Sequence, residues 1–233
     1  MLTFKVILLA VSGVIFTRAI SPPSRRAPGG SKGDGVYRGQ AFEYLVRFLA
    51  YLVWLAVLPT IASTLLLALY DHIPAVAPLL CPSSPDQLEP LLKLSPRFLI
   101  GTFLTISGGS IRLWSYQAMG ELFTYEVSIK KSHSLVTSGP YAYVRHPSYT
   151  GVILMLIGEH LMQFGDAGYV PYCGIKHTPF WPVVYSWPFI ALFGGFSLFR
   201  RCAVEDKQLV EHFGAVWKDY SARTRYRLFP YVY

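Results

Sequence analysis

The chain has 233 residues, 52% of them hydrophobic and 15% charged, with a formal net charge of +8. Charge falls well below the roughly one quarter usual in soluble domains, and the apolar residues gather into long runs, so the chain reads as an integral membrane protein. No basic helix or repeat stands clear of the apolar segments, which argues against a nucleic-acid partner, and Cys81, Cys173 and Cys202 lack the CxxC or Cys/His spacing of a zinc site.

Residues 3–20 form the first apolar segment. Its length and Lys5 also fit a secretory signal peptide, but no small-x-small cleavage site follows. Arg18, Arg25 and Arg26 act as a positive stop, which favours a retained helix. Residues 21–40 are rich in Pro, Gly and Ser and bury too little apolar surface to offset the entropy of ordering, so a flexible linker is expected. A second long helix follows from Phe42 to Tyr70, with Pro59 as an expected kink that membrane helices tolerate. Residues 71–96 are proline-rich and read as a loop with a short interfacial turn. The third span covers 97–117, where Gly101, Gly108, Gly109 and Ser110 suit close helix packing.

Residues 118–149 are polar. The apolar run after them, Val152 to Phe164, is short for a lone span, so its helix is expected to begin inside the polar loop or to tilt. Residues 165–180 form another loop, and 181–199 the fifth span. In the tail, Val204, Leu209, Val210, Phe213, Val216, Trp217 and Tyr220 recur at helical spacing with charges between them. That pattern predicts an amphipathic helix against the membrane face. The fold expected is therefore all-α and polytopic, with about five transmembrane helices, an N-terminal membrane region over 1–96 and a functional region over 97–233.

The basic residues give an orientation. Arg25, Arg26, Lys32 and Arg38 lie in the first loop, Lys130, Lys131 and Arg145 in the polar loop, and Arg200, Arg201, Lys207, Lys218, Arg223, Arg225 and Arg227 in the tail. The intervening loops carry only Lys93 and Lys176. Five spans with this alternation put the polar loop and the tail together in the cytosol, where the positive charge also suits anionic lipid. No disulfide framework follows from the three cysteines; Cys81 and Cys173 pair only if both face an oxidising lumen.

The stretch Ser138-Gly-Pro-Tyr-Ala-Tyr-Val-Arg-His-Pro-Ser-Tyr-Thr-Gly151 holds the densest chemistry. Gly139-Pro140 and His146-Pro147 break regular structure, so the aromatic rings, Arg145 and His146 project from a loop of defined shape. From His133 to Tyr149 the loop offers donors, aromatic faces and backbone groups near glycines, which can hold a flat polar cofactor. In the tail, Arg201 and Glu205 share a helix face. The arginine can pair with a carboxylate through its planar fork, and the glutamate can take ribose hydroxyls or an ammonium group.

Plainer readings stand beside each of these. Arg200 and Arg201 can be positive-inside residues at a helix end, Arg201 and Glu205 a surface pair, and Tyr141, Tyr143 and Tyr149 an interfacial belt. His146 before Pro147 can simply pack. Glu159 and His160 fall inside an apolar run, where polar groups mark function by default, or they form a packed polar pair. No GxGxxG, Walker, HExxH or GxSxG motif occurs. The residues alone thus give a polytopic membrane protein with a cytosolic polar site for an anion and a cofactor.

Two separated motifs take the reading further. His133-x-Leu-Val-x-x-Gly-x-Tyr141, with Arg145-His-Pro-Ser-Tyr149-x-Gly151, is followed by Arg201-x-x-x-Glu205-x-x-x-Leu209-x-x-x-Phe213-Gly214 and Tyr220. Together they resemble the isoprenylcysteine carboxyl methyltransferases, within a wider group of membrane methyltransferases that includes phospholipid N-methyltransferases. The resemblance covers roughly 100–230. It implies S-adenosyl-L-methionine as cofactor, lined by His133, Ser134, Leu135, Val136, Tyr141, His146, Pro147, Ser148, Tyr149 and Glu205, with Arg201 on the substrate carboxylate and no metal. The implied activity is methyl esterification of a prenylated protein or peptide C-terminus at the endoplasmic reticulum membrane. The alternatives weighed are a phospholipid amine N-methyltransferase, a sterol reductase sharing the Arg-His-Pro-x-Tyr piece and a non-catalytic membrane adaptor.

Overall fold

The computed structural model describes residues 2–21, 52–55, 57–69, 72, 75, 77–83, 89–123, 134–165 and 168–233. His133, the 22–40 linker and the first part of the second helix lie outside those residues. Among the described residues every regular element is helical. The long helices are α1 (Leu2–Ile20), α2 (Val57–Leu69), α3 (Pro96–Met119), α4 (Pro147–Gln163), α5 (Trp187–Phe213) and α6 (Ala215–Arg223).

Local sequence explains the boundaries. Ser95 caps α3, its hydroxyl accepting from the Phe98 N–H at 3.1 Å, with Pro96 at the first helical position where a missing N–H costs nothing. Pro147 opens α4 in the same way, so this helix does begin inside the polar loop as expected. The tail differs from the sequence reading. No break separates a fifth span from an amphipathic helix at residue 200; α5 runs on from the apolar segment through Arg201 and Glu205 to Phe213. The chain turns only at Gly214, whose φ of 55° is open to glycine at little cost.

α3 and α4 pack as an antiparallel hairpin at backbone contact. Gly108 faces Gly151, and Gly101, seven residues earlier on α3, faces Gly158, seven residues later on α4. A methyl at Gly108 would stand 2.6 Å from the Gly151 carbonyl oxygen, and one at Gly101 would stand 2.7 Å from that of Gly158. Close approach through small residues is the way helices associate where lipid supplies no hydrophobic drive. Gly101 and Gly108 were legible as packing residues, whereas Gly151 and Gly158 are found only by their opposition.

Helices long and apolar enough to cross a membrane number three, among the described residues: Leu2–Ile20, Leu52–Leu69 and Trp181–Phe213. The α3–α4 hairpin is more polar, and its polar groups are turned inward. Thr102, Thr105, Arg112, Glu159 and Gln163 are all buried. The Thr60 hydroxyl on α2 donates to the Glu159 carboxylate, and the Gln163 amide donates to Thr60 Oγ1 at 2.7 Å. Glu159 thus ties α4 to α2 instead of pairing with its neighbour His160, which stacks on Phe164.

The bundle has two unlike ends. At one, Cys81 and Cys173 form a disulfide, surrounded by Leu9, Leu66, Leu91 and Tyr169. The Lys5 ammonium donates to the Lys93 carbonyl at 2.9 Å there. At the other end the turn over 138–144, the start of α4, the polar half of α5 and the tail converge.

Candidate active site

A short 3-10 helix, Gly139–Ala142, shapes the loop that enters α4. Gly139 has φ 62°, and its neighbours in space are Ala118 and Trp114 of α3, so a left-handed turn is pressed against the end of that helix. Tyr141 is buried beneath it, and burial with the nearby Glu205 carboxylate raises its phenol pKa above the usual 10. The Tyr220 hydroxyl of α6 donates to the Tyr141 carbonyl at 2.7 Å.

Arg145 and His146 are held by their backbones. The Arg145 N–H donates to the Tyr226 carbonyl at 2.9 Å, and the His146 N–H to the Arg227 carbonyl at 2.8 Å. One turn into α4, the Thr150 hydroxyl donates to the Leu228 carbonyl at 2.6 Å. The tail after α6 therefore straps the entry to α4, filling backbone positions that a Pro-containing loop leaves open.

Inside this strap sits an ion network. His146 Nε2 lies 2.9 Å from Asp206 Oδ1, and Nδ1 lies 3.3 Å from Glu205 Oε2. Tyr149 donates its hydroxyl to Glu205, and Arg201 Nε donates to Glu205 Oε1 at 3.0 Å. Asp206 Oδ2 receives Arg145 at 3.2 Å and Arg227 Nε at 2.8 Å, while Arg227 Nη1 also reaches the Tyr233 hydroxyl at 2.7 Å. The Tyr149 ring lies parallel to His146, within 3° at 5.6 Å, and has the Arg201 guanidinium 5.7 Å from its centre.

The electrostatics follow from burial and partners. Burial works against a charged His146, yet the bonds to Asp206 and Glu205 outweigh it, so its pKa is raised above 6.5. Among the described residues three guanidiniums (Arg145, Arg201, Arg227) meet two carboxylates (Glu205, Asp206) around His146. Arg145 Nε is buried without a hydrogen-bond partner. Orphaned buried donors are costly, so this one suits an acceptor atom of a bound group.

The structure thus gathers His146, Tyr149, Arg201 and Glu205 into one cluster, with Tyr141 beneath the adjoining turn. Arg201 is not a snorkelling residue at a helix end: it is 3% exposed. Ser134, Leu135 and Val136 lie in the loop leading to the turn, partly or fully exposed. Pro147 and Ser148 are buried on the side facing α3, where Arg112 Nη1 donates to Ser148 Oγ at 2.7 Å and to its carbonyl at 3.3 Å. Arg112 Nε also holds the Ala19 carbonyl at the end of α1, at 2.7 Å. Arg112, Arg227 and Tyr233 carry no motif. The one sequence signal for Arg112 is a charge in the interior of a helix whose other arginine, Arg97, sits in the first turn, a costly position that implies a partner.

Residues 99–173, from α3 to the disulfide, match the model of the isoprenylcysteine carboxyl methyltransferase (ICMT) family, which bears out the resemblance read from the motifs. A protein-S-isoprenylcysteine O-methyltransferase of Rattus norvegicus is 32% identical over 126 residues, 53% of this chain and 38% of that protein. The protein of the same name from Saccharomyces cerevisiae is 29% identical over 124 residues, 52% of this chain and 44% of its own length. A Delta(14)-sterol reductase of Mus musculus is 34% identical over 100 residues, covering 42% of this chain and 20% of the reductase. The chain matches less than half of each of these relatives.

Proposed function

We propose that this chain is a membrane methyltransferase that esterifies the C-terminal carboxylate of a prenylated cysteine, with S-adenosyl-L-methionine as donor. The observation that carries the reading is the buried network joining His146 and Tyr149 to Arg201 and Glu205, with the buried Arg145 Nε donor beside it. Relatives named for this reaction support it. The catalytic region runs over 97–233.

The residues present fit the cofactor. Glu205 suits its ribose hydroxyls or ammonium group, the Tyr149 and His146 rings its flat surfaces, and the Arg145 Nε donor its amino-acid carboxylate. His133, Ser134, Leu135, Val136 and Tyr141 would complete the pocket, while Pro147 and Ser148 shape it from behind. The cofactor supplies an electrophilic methyl on sulfonium sulfur. Everything else falls to the chain.

A terminal carboxylate has a pKa near 3.5 and is ionised at neutral pH, so the reaction needs no general base. Positioning and exclusion of water dominate. Arg201, oriented by Glu205 and lying over Tyr149, binds the carboxylate and aims one oxygen at the methyl. The apolar half of α5 gives the prenyl chain a path from the bilayer, since Phe189, Leu192 and Phe196 are exposed on it.

The orientation completes the proposal. Five crossings, counting α3 and α4 beside the three apolar helices, would put both polar regions at one end. The disulfide end then faces the lumen of the endoplasmic reticulum, an oxidising space, and the basic end faces the cytosol.

The test is methyl transfer from labelled S-adenosylmethionine to N-acetyl-S-farnesylcysteine by purified protein in detergent. Base-labile label on the cysteine derivative is the expected product. Cofactor binding without that product would move the acceptor to a lipid amine. NADPH oxidation with a sterol, and no methyl transfer, would favour the chemistry named for the mouse relative.

A further inference from the structure

A cavity of about 250 Å³ opens between the 3-10 turn and the tail, apart from the ion network. Tyr143 forms one wall, Arg223, Thr224, Arg225 and Tyr226 the other, and Tyr231 the rim. Among the described residues no acidic one lines it. Arg223 and Arg225 are exposed, and each Nε makes only a long bond to a backbone carbonyl, Asp219 at 3.4 Å and Ala222 at 3.5 Å. Neither guanidinium is ion-paired among the described residues, unlike Arg145, Arg201 and Arg227 nearby.

The aromatic residues mark where the cavity sits. Tyr143 is 68% exposed and lies 6.4 Å from Trp114, itself on the exposed face near the end of α3. Tyr231 is 89% exposed and packs on Tyr226 at 5.3 Å. Exposed Trp and Tyr at the mouth of apolar helices belong at the level of lipid headgroups. Basic residues at that level attract anionic lipid, and arginine forks match phosphate oxygens in pairs.

We propose that this cavity is a binding site for the headgroup phosphate of an anionic membrane phospholipid, held by Arg223 and Arg225 with Tyr143 and Tyr231 at the interface. The volume suits a headgroup, and the acyl chains would follow the exposed face near Trp114. The site also touches the catalytic cluster through the backbone. The segment that carries both arginines continues into Tyr226 and Arg227, whose carbonyls hold the Arg145 and His146 amides. A bound headgroup therefore braces the strap over the start of α4.

The proposal does not rest on methyl transfer, and its test reads no turnover. Purified full-length protein is incorporated into nanodiscs of phosphatidylcholine with 10–20% phosphatidylserine, roughly the anionic share that gives charged leaflets their potential, and retained lipid is read by native mass spectrometry. Compared are wild type, the double variant Arg223→Gln/Arg225→Gln and a charge-matched control, Lys207→Gln/Lys218→Gln. Wild type and control should keep phosphatidylserine, and the arginine variant should retain it on the order of ten-fold less. Equal loss in both variants would mean diffuse charge attraction and would overturn the site, as would equal retention in all three. Two added ligands separate the sources of anion. Competition by inorganic phosphate alone at millimolar level would make it a free-anion site, and displacement by an acidic peptide with lipid unaffected would make it a peptide site; either result overturns the lipid assignment. Hydrogen exchange at the Arg145 and His146 amides should slow in phosphatidylserine discs relative to pure phosphatidylcholine, and unchanged exchange would refute the bracing.

Discussion

The two ends of the bundle are held by opposite kinds of force. The end with Lys5, Leu91 and Tyr169 is closed by a disulfide between loops 92 residues apart and by apolar packing. The other end is closed by guanidiniums, carboxylates, an imidazole and backbone hydrogen bonds. A covalent and apolar closure keeps its shape whatever the solvent does. An ionic closure costs desolvation and is justified energetically only while each partner is present; it can therefore respond to a ligand, a proton or a lost side chain. The difference teaches that rigidity and chemistry have been assigned to separate ends, with the glycine-packed hairpin between them.

The largest effect should come from breaking the ionic end. Arg201→Ala removes the proposed anion partner and leaves Glu205 with Tyr149 and His146, and methyl transfer should fall by roughly 100-fold or more while circular dichroism keeps its helical signal. Turnover near wild type would take Arg201 out of the reaction. The reverse experiment acts on the covalent end. Cys81→Ser with Cys173→Ser should cost about 2–5 kcal/mol, lowering the melting temperature by roughly 5–15 °C, yet leave turnover at low temperature largely intact. A double serine variant that folds well but loses turnover even when cold would dissolve the distinction between the ends.

The hairpin offers a finer division. Gly158→Val and Gly151→Val each force a side chain against facing backbone and should destabilise by about 1–3 kcal/mol. Gly151 also faces Arg112, which holds the first turn of α4 through Ser148. At equal loss of melting temperature, Gly151→Val should therefore lose more turnover than Gly158→Val. The smallest effect is a pH slope. With its pKa raised above 6.5, chiefly against the pull of burial, His146 contributes stability that is whole below about 6.5 and lost as pH rises through the folded value. One proton changes stability by at most about 1.4 kcal/mol per pH unit. His146→Gln should flatten the melting-temperature profile of the wild type over that window, and an unchanged slope would mean that His146 does not titrate there.

The chain announced its apolar helices and its polar loop because both depend on local composition. Pro147, Gly139 and the Arg201–Glu205 spacing were legible for the same reason: each acts within a few residues. What the sequence hid was long-range pairing. Gly151 and Gly158 look like ordinary glycines until Gly108 and Gly101 are set against them. Arg227 reads as one more tail cation until Asp206 is found beside it. The change from apolar to polar residues near residue 200 predicts a change of element, whereas a helix ends at a backbone break, and that break waits for Gly214. The Cys81–Cys173 pairing hung on topology, which spacing does not reveal.

The strap over α4 carries a consequence for biosynthesis. Tyr226, Arg227 and Leu228 lie downstream of every apolar helix among the described residues, yet their carbonyls hold Arg145, His146 and Thr150. A nascent chain that has already threaded all its hydrophobic segments into the bilayer still has an unfinished pocket. The start of α4 is held only once the tail folds back, so on the proposed function a chain stopped before Tyr226 should transfer no methyl group.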